Sequence, residues 1–152
     1  MPIRKLREFL DQNNIKYVTI THSPAYTAQE IAASAHIPGR EMAKTVVVKI
    51  DDTMAMVVLP ANAQINLDFL KCITGAQRVS LASEEEFKDK FPDSEIGAMP
   101  PFGNLYGMQV FVSETLSREK EIAFNAGSHS ELIKMSYKDF ERIVKPRVIV
   151  TS

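Results

Sequence analysis

The chain has a single cysteine, Cys72, among its 152 residues, which excludes an internal disulfide and any cysteine-rich zinc site. No apolar run approaches the roughly 18 residues that cross a bilayer as a helix. The amino-terminal stretch MPIRKLREFLDQNN is charged throughout and lacks the apolar middle of a secretory signal, so the expected location is cytoplasmic. Neither charge is in excess: 18 Lys and Arg against 19 Asp and Glu leave a formal charge of −1. No global positive field draws in nucleic acid, and any such site has to be a local patch. The three histidines, His22, His36 and His129, are spread without metal-ligand spacing, so no metal is expected and no cofactor is implied. Repeats, linkers and low-complexity segments are also missing.

What is present is ordinary for a globular chain: 45% hydrophobic and 24% charged residues. A chain of this length suits one domain, residues 1–152, and buries about 68–70% of its unfolded surface without staples. Pro2–Asn13 reads as an amphipathic helix with Ile3, Leu6, Phe9 and Leu10 on one face. Ile15–Thr21 is β-branched and aromatic enough for a strand, followed by a His22-Ser23-Pro24 loop. Thr27 and Glu30 form a capping box for a helix over Ala28–Ala35, closed by Pro38-Gly39.

Thr45–Ile50 and Met54–Leu59 predict a hairpin around Asp51-Asp52-Thr53, and the nearly continuous apolar run VVVKI suggests a strand covered on both faces. Asn66–Thr74 reads as a helix capped by Gly75, and Arg78–Leu81 as a short strand. Ser83 and Glu86 open an acidic helix reaching about Phe91. Strands are expected at Met108–Ser113, Glu121–Asn125 and Glu131–Met135. Ser136 and Asp139 cap a last helix to about Val144, and a terminal strand covers Val148–Thr151. The expected fold is a compact α+β domain with a mixed, mostly antiparallel, barrel-like sheet surrounded by helices.

Four features could carry chemistry. Lys44 stands immediately before the TVVVKI strand and can either reach solvent or point into a cleft at the sheet's end, whereas Lys49 reads as a solvent-reaching lysine. The segment from Pro92 to Gly107 is long, aperiodic and rich in glycine and proline, the kind of loop that often carries function. Within it, Gly97-Ala98-Met99-Pro100-Pro101-Phe102-Gly103 could turn main-chain N–H groups toward an anionic intermediate, or be a rigid structural loop. It matches neither a P-loop nor a dinucleotide fingerprint. Ser128 and His129 are adjacent in an extended segment and point to opposite faces, so they are not a nucleophile–base pair. His129 either donates to a substrate or is a satisfied structural histidine. Cys72 reads as buried filler. Lys138, Arg142 and Lys145, spaced to share one helix face, and the group Arg4, Lys5, Arg7 are the visible basic patches, set against the acidic Glu84, Glu85 and Glu86.

The ordered set of Lys44 heading TVVVK, the GAMPPFG loop, and Gly127-Ser128-His129 before the SYKDF helix resembles the YbaK/prolyl-tRNA-synthetase-associated editing-domain family. The likeness covers most of the chain, from the His22 region to the last helix. It implies a free-standing hydrolase that deacylates mischarged aminoacyl-tRNA, with Ala- or Cys-tRNA(Pro) as substrates. Its partners would be the 3′ end of the tRNA and, as an open alternative, prolyl-tRNA synthetase.

Carried over, Lys44 matches the family's essential lysine, Gly97 begins the loop that holds the reacting carbonyl, and His129 corresponds to a pocket histidine. These three are the expected catalytic residues. Tyr17 and His22 lie near the family's early pocket residues, in a register one sequence leaves open. Met99, Pro100, Pro101, Phe102, Gly103, Gly127 and Ser128 complete the expected substrate-binding set, with Met99 and Phe102 as pocket lining. Lys138, Arg142 and Lys145 are the expected tRNA contacts. Ile96 stands where several relatives have a second glycine, which bears on amino-acid specificity more than on reaction class. An aminoacyl ester is already activated, so its hydrolysis needs a placed water and an oxyanion site more than a strong nucleophile. Such a second sieve removes errors that a synthetase pocket rejects by only ~1–3 kcal/mol per methylene. The alternatives are a non-catalytic module that binds a tRNA end or nucleotide in the same pocket, and a cysteine- or histidine-dependent hydrolase of another ester.

Overall fold

The run Met42–Ile50 turns back on Thr53–Pro60 through Asp51 and Asp52, whose φ angles are both positive, 48° and 71°. Two consecutive left-handed residues suit a two-residue hairpin between right-twisted strands, and aspartate tolerates that region better than most residues. The Asp51 carboxylate is held by the main-chain N–H groups of Gln77 and Arg78, at 3.0 and 2.9 Å. Thr53, expected in the turn, is instead the first residue of the returning strand and pairs with Ile50. This computed structural model describes residues 3–22 and 27–150. The expected roles of Pro2, Ser23, Pro24 and Thr151 lie outside the described residues.

The elements in chain order are α1 (Arg4–Gln12), β1 (Tyr17–Thr21), α2 (Ala28–Ser34), β2 (Met42–Ile50), β3 (Thr53–Pro60), α3 (Leu67–Thr74), β4 (Val79–Leu81) and α4 (Glu84–Phe87). They continue as β5 (Gln109–Ser113), α5 (Glu114–Ser117), β6 (Glu121–Asn125), β7 (Glu131–Ser136), α6 (Tyr137–Val144) and β8 (Arg147–Ile149). The strands form one sheet in the order β1-β7-β6-β2-β3-β5-β8, with β4 added on β2. Four pairings are antiparallel and three, β2–β6, β3–β5 and β5–β8, are parallel. The α+β, mixed-sheet architecture is as expected. No helix among the described residues is long and apolar enough to cross a membrane.

Strand alternation sorts the side chains into two faces. Ala43 and Val47 of β2, Met56 and Val58 of β3, Val110 and Val112 of β5, Ile122 and Phe124 of β6, and Ile133 and Met135 of β7 join one inner cluster. Leu6 and Leu10 of α1, and Tyr137, Phe140 and Val144 of α6, close over it. The outer face carries two smaller clusters. One is built on Met42, Ala123 and Leu132 under Ile31 and Ala32 of α2; the other on Val48, Val57, Leu59 and Phe111 under Leu70 of α3. The VVVKI run is therefore covered on both faces.

Several boundaries moved. The strand expected from Thr45 begins at Met42, so Lys44 lies inside β2, paired with Leu59, and not before it. The acidic helix ends after one turn at Phe87 and continues as a 3₁₀ turn over Lys88–Lys90. Its capping box is present, with Ser83 and Glu86 bonded reciprocally. The short α5 was not expected. Ser113 caps it through a 3.3 Å bond from the Thr115 N–H, and four residues are too few to show a helical period. Cys72 is exposed, against the expectation of buried filler, because α3 turns Leu70 inward.

Candidate active site

The glycine–proline loop and the Gly127-Ser128-His129 segment, 30 residues apart in sequence, are joined in space. Gly127 donates its N–H to Ala98 O at 3.0 Å and accepts from the Glu95 N–H at 2.8 Å. His129 Nε2 is 2.9 Å from Ile96 O. A carbonyl can only accept, so Nε2 carries the proton of this bond. Glu95 returns toward His129, its Oε2 taking the His129 N–H at 3.2 Å. His129 thus bonds the start of the loop through both its ring and its main chain.

Three glycines have conformational or packing reasons for being glycine. Gly97 is exposed with φ +86°, and a Cβ there would stand 3.5 Å from His129 Cε1. Gly127 has φ +103°, and a Cβ there would fall 2.4 Å from Ile3 Cγ2, so Ile3, which precedes α1, can pack here only against a bare backbone. Gly103 is also a packing residue: a Cβ would meet Val110 Cγ2 at 2.7 Å.

The loop's side chains go mostly inward. Ala98, Met99, Pro100, Pro101, Phe102 and Gly103 are all buried. Phe102 is fully enclosed, with ring centroids 5.3 Å from Phe124, 5.5 Å from Phe140 and 6.1 Å from Phe9. Met99 and Phe102, expected as pocket lining, are both buried members of the inner core cluster. What the loop offers outward is backbone. Among the described residues the Gly97 N–H has only a sulfur acceptor, Met99 Sδ at 3.3 Å, and a thioether accepts weakly.

Lys44 belongs to β2, which lies along the same edge of β6. β2 pairs with β6 at Met42–Ala123 and Ala43–Phe124, where the pairing ends. Beyond this point the free edge of β6 is taken up by Ala98 and Glu95 at Gly127. Lys44 is the residue after Ala43 and follows the outer-face alternation of Met42. It is half-buried, its Nζ 3.5 Å from Ala61 O, and burial lowers its pKa below the ordinary lysine value. Beside Ala61, a cleft of about 500 Å³ is lined by Arg40, Pro60, Asn62, Thr115, Arg118 and Glu119 among others. Arg40 is paired with Glu119 at 3.2 Å.

The early residues separate. His22 donates its N–H to Ser130 O at 2.9 Å, which places it beside Ser128, whose Oγ is 3.5 Å from Ser130 Oγ. Tyr17 is at the opposite end of β1, paired with Met135 and bonded through its hydroxyl to Asp11 at 3.2 Å. Tyr17 faces the inner cluster and is not brought to His22. Lys138 and Arg142 are exposed one turn apart on α6, with Arg142 paired with Asp139 at 3.5 Å, and Lys145 follows as an exposed left-handed cap with φ 55°. Their helix covers the inner cluster, whereas Lys44 belongs to the outer face. Arg4 and Lys5 are likewise engaged, with Glu8 at 2.7 Å and over the Tyr106 ring at 4.7 Å.

The sequence model of the aminoacyl-tRNA editing domain matches residues 22–143, a span that holds Lys44, the glycine–proline loop and His129. The chain belongs to this family. Among members of the editing family, the multifunctional Ser/Thr-tRNA deacylase ProXp-y of Escherichia coli (strain K12) is 27% identical over 152 residues, covering 96% of this chain and 90% of the relative. The prolyl-tRNA editing protein ProX of Acetoanaerobium sticklandii is 28% identical over 142 residues, covering 90% and 86%. A proline–tRNA ligase of Bacillus cereus (strain AH187) is 31% identical over 89 residues, 59% of this chain and 16% of the ligase. The fold is shared with a crystal structure described as a candidate trans-editing enzyme for prolyl tRNA synthetase, at TM-score 0.82 and 19% identity over 97% of this chain and 94% of that one.

Sequence reasoning did not single out Ala61, whose carbonyl faces Lys44 Nζ, Arg40, which lines the cleft, or Asn125, the residue after Phe124 where the β2–β6 pairing ends. Asn125 was placed only as the last residue of a strand, and no motif marks it. The available signal was a polar residue at a position whose strand neighbours on that face are apolar.

Proposed function

We propose that this editing-family protein is a trans-acting aminoacyl-tRNA deacylase that hydrolyses the ester of a mischarged tRNA with a positioned water. The observation that supports this reading is that one edge of β6 is followed first by β2, which carries Lys44, and then by the glycine–proline loop bonded at Gly127. In this mechanism the ester carbonyl lies against the loop, where the Gly97 N–H exchanges its weak sulfur partner for the oxygen that gains charge as water adds. A main-chain donor fixed by Gly127 and His129 needs little reorganisation as that charge develops. The Lys44 ammonium, partly desolvated, holds the terminal adenosine and its phosphate, and the cleft beside Ala61 gives the acceptor end room. Water is the nucleophile, so no side-chain nucleophile is required.

The substrates of this reading are alanine or cysteine on proline tRNA, the small amino acids a proline-sized synthetase pocket rejects poorly. The E. coli relative, named for Ser/Thr-tRNA, adds serine and threonine to the test panel. The likeness to a stretch of proline–tRNA ligase supports prolyl-tRNA synthetase as the partner whose errors are corrected. The deciding experiment is deacylation of alanyl-, cysteinyl-, seryl- and threonyl-tRNA by the purified protein, with Lys44→Ala beside it. Turnover of at least one substrate that falls with Lys44→Ala supports the reading. Saturable binding without turnover would replace it with the binding-module alternative, and turnover untouched by Lys44→Ala would remove the mechanism.

A further inference from the structure

One row of residues crosses the outer face of the sheet. Ile20 of β1 pairs with Leu132 of β7, Leu132 pairs with Asn125 of β6, and Lys44 of β2 pairs with Leu59 of β3. Because Ala43 pairs with Phe124, Lys44 and Asn125 are the next residues on their two strands, at the point where β2 and β6 stop pairing. Ile20 and Leu132 belong to the cluster under α2, and Leu59 to the cluster under α3. Two polar side chains therefore sit side by side in an otherwise apolar row, in the gap between two cores.

They do not satisfy each other. Lys44 Nζ is directed to Ala61 O at 3.5 Å, and Asn125 Oδ1 is buried with no hydrogen-bond partner among the described residues. An amide oxygen kept out of water and unpaired costs stability, and native proteins rarely leave one so. Asn125 is also two residues before Gly127, which anchors the glycine–proline loop, a separation of about 7 Å along an extended chain. The unpaired acceptor thus stands between the lysine and the loop.

We infer that Asn125 is a substrate-contacting residue whose Oδ1 accepts a hydrogen bond from a donor on the aminoacyl group of the tRNA. This rests on the deacylase reading and adds a recognition element to it. Two donors have this chemistry: the α-ammonium, common to all the esters, and the side-chain hydroxyl of serine or threonine. An acceptor that stays unpaired when the wrong ligand binds discriminates far better than a missing methylene does.

The test compares wild type, Asn125→Ala and Asn125→Asp on seryl-, threonyl- and alanyl-tRNA, with thermal midpoints recorded for each. The expected result for Asn125→Ala is a loss of kcat/KM of at least ~10-fold, the worth of a hydrogen bond to a polar or charged donor, with a midpoint unchanged or raised. Asn125→Asp keeps an acceptor oxygen and retains more activity than Asn125→Ala. A uniform loss over the three esters assigns the α-ammonium, and a loss confined to seryl and threonyl esters assigns the hydroxyl. Wild-type kcat/KM in Asn125→Ala overturns the inference, as does a lowered midpoint, which would show Oδ1 already paired in the free protein. If wild type deacylates none of the esters, the deacylase reading fails separately. The inference is then read from the Kd of 3′-seryl- and 3′-alanyl-amino adenosine, amide analogues that resist hydrolysis: ~10-fold weaker binding to Asn125→Ala supports it, and equal binding overturns it.

Discussion

His129 Nε2 donates to Ile96 O at 2.9 Å, so a histidine from the β6–β7 turn fixes the residue that enters the glycine–proline loop. This bond, with the two main-chain bonds at Gly127, makes the loop a continuation of the sheet's edge. His129→Ala is expected to cost about 1 kcal/mol of stability and to lower kcat by ~10-fold or more, through a loosened oxyanion site. His129→Gln, which keeps a side-chain N–H, should recover part of both. Urea denaturation and single-turnover deacylation measure the two effects, and equal loss in both variants would contradict the holding role.

Gly127→Ala adds a Cβ 2.4 Å from Ile3 Cγ2 at a φ of +103°. The backbone strain and the clash together predict a destabilisation of about 2–3 kcal/mol. Gly39 has no positive φ, and no described atom lies within 4 Å of where its Cβ would stand, so it provides the control. Gly39→Ala should be nearly silent in the same denaturant titration.

Lys44→Met should abolish most deacylation, by ~10²-fold, without lowering the thermal midpoint. Burial lowers the Lys44 pKa from its usual 10.5, so the charged form is disfavoured by folding. The resulting stability cost is present in full below the lowered pKa and fades as pH rises from there toward 10.5. The Met variant should accordingly equal or exceed wild type at pH 7, with the difference shrinking at high pH.

Tyr137 is buried, its hydroxyl unpartnered among the described residues, and burial first, then the charge of Glu141, pushes its pKa up to about 12. Burial disfavours only the ionised form, so the buried hydroxyl gains nothing below pH 10, and stability falls between about 10 and 12 as the unfolded chain ionises before the folded one. Tyr137→Phe should therefore be neutral or stabilising by about 1 kcal/mol at pH 7. It should also flatten the alkaline limb of a stability–pH curve.

Glu86 provides the acid counterpart. The Lys49 ammonium at 2.6 Å, then the Ser83 bonds, lower its pKa to about 2. A depressed carboxylate contributes stability above its unfolded pKa, which is lost as pH falls from about 4.5 to about 2. Glu86→Gln should lie below wild type in urea midpoint at pH 6 and converge with it near pH 2. The pair is at the surface, so added salt should narrow the gap.

Much of the chain was legible before folding because its signals are local. Capping residues at Thr27, Ser83 and Ser136 mark helix starts that the structure keeps, and the β-branched and aromatic residues of IKYVTIT mark a strand. Lys44, the loop and the Gly127 segment stood out because glycine, proline and an isolated lysine are conspicuous in sequence. Phe102 shows the limit. An aromatic in a loop motif reads equally as pocket lining or as core, and only the positions of Phe9, Phe124 and Phe140 settle it as core.

Composition and short-range pattern by themselves determined an α+β chain with a mixed sheet and a conspicuous loop, since helix caps, strand periods and turns depend on near neighbours. Which residues meet was decided only by the tertiary structure. The parallel pairing of β2 with β6 sets Lys44 beside Asn125, and the register of β1 on β7 sends His22 to the serine turn while leaving Tyr17 at the far end. Those pairings join segments some 80 to 120 residues apart, and strand register is fixed by the burial of whole faces, a property no local window contains.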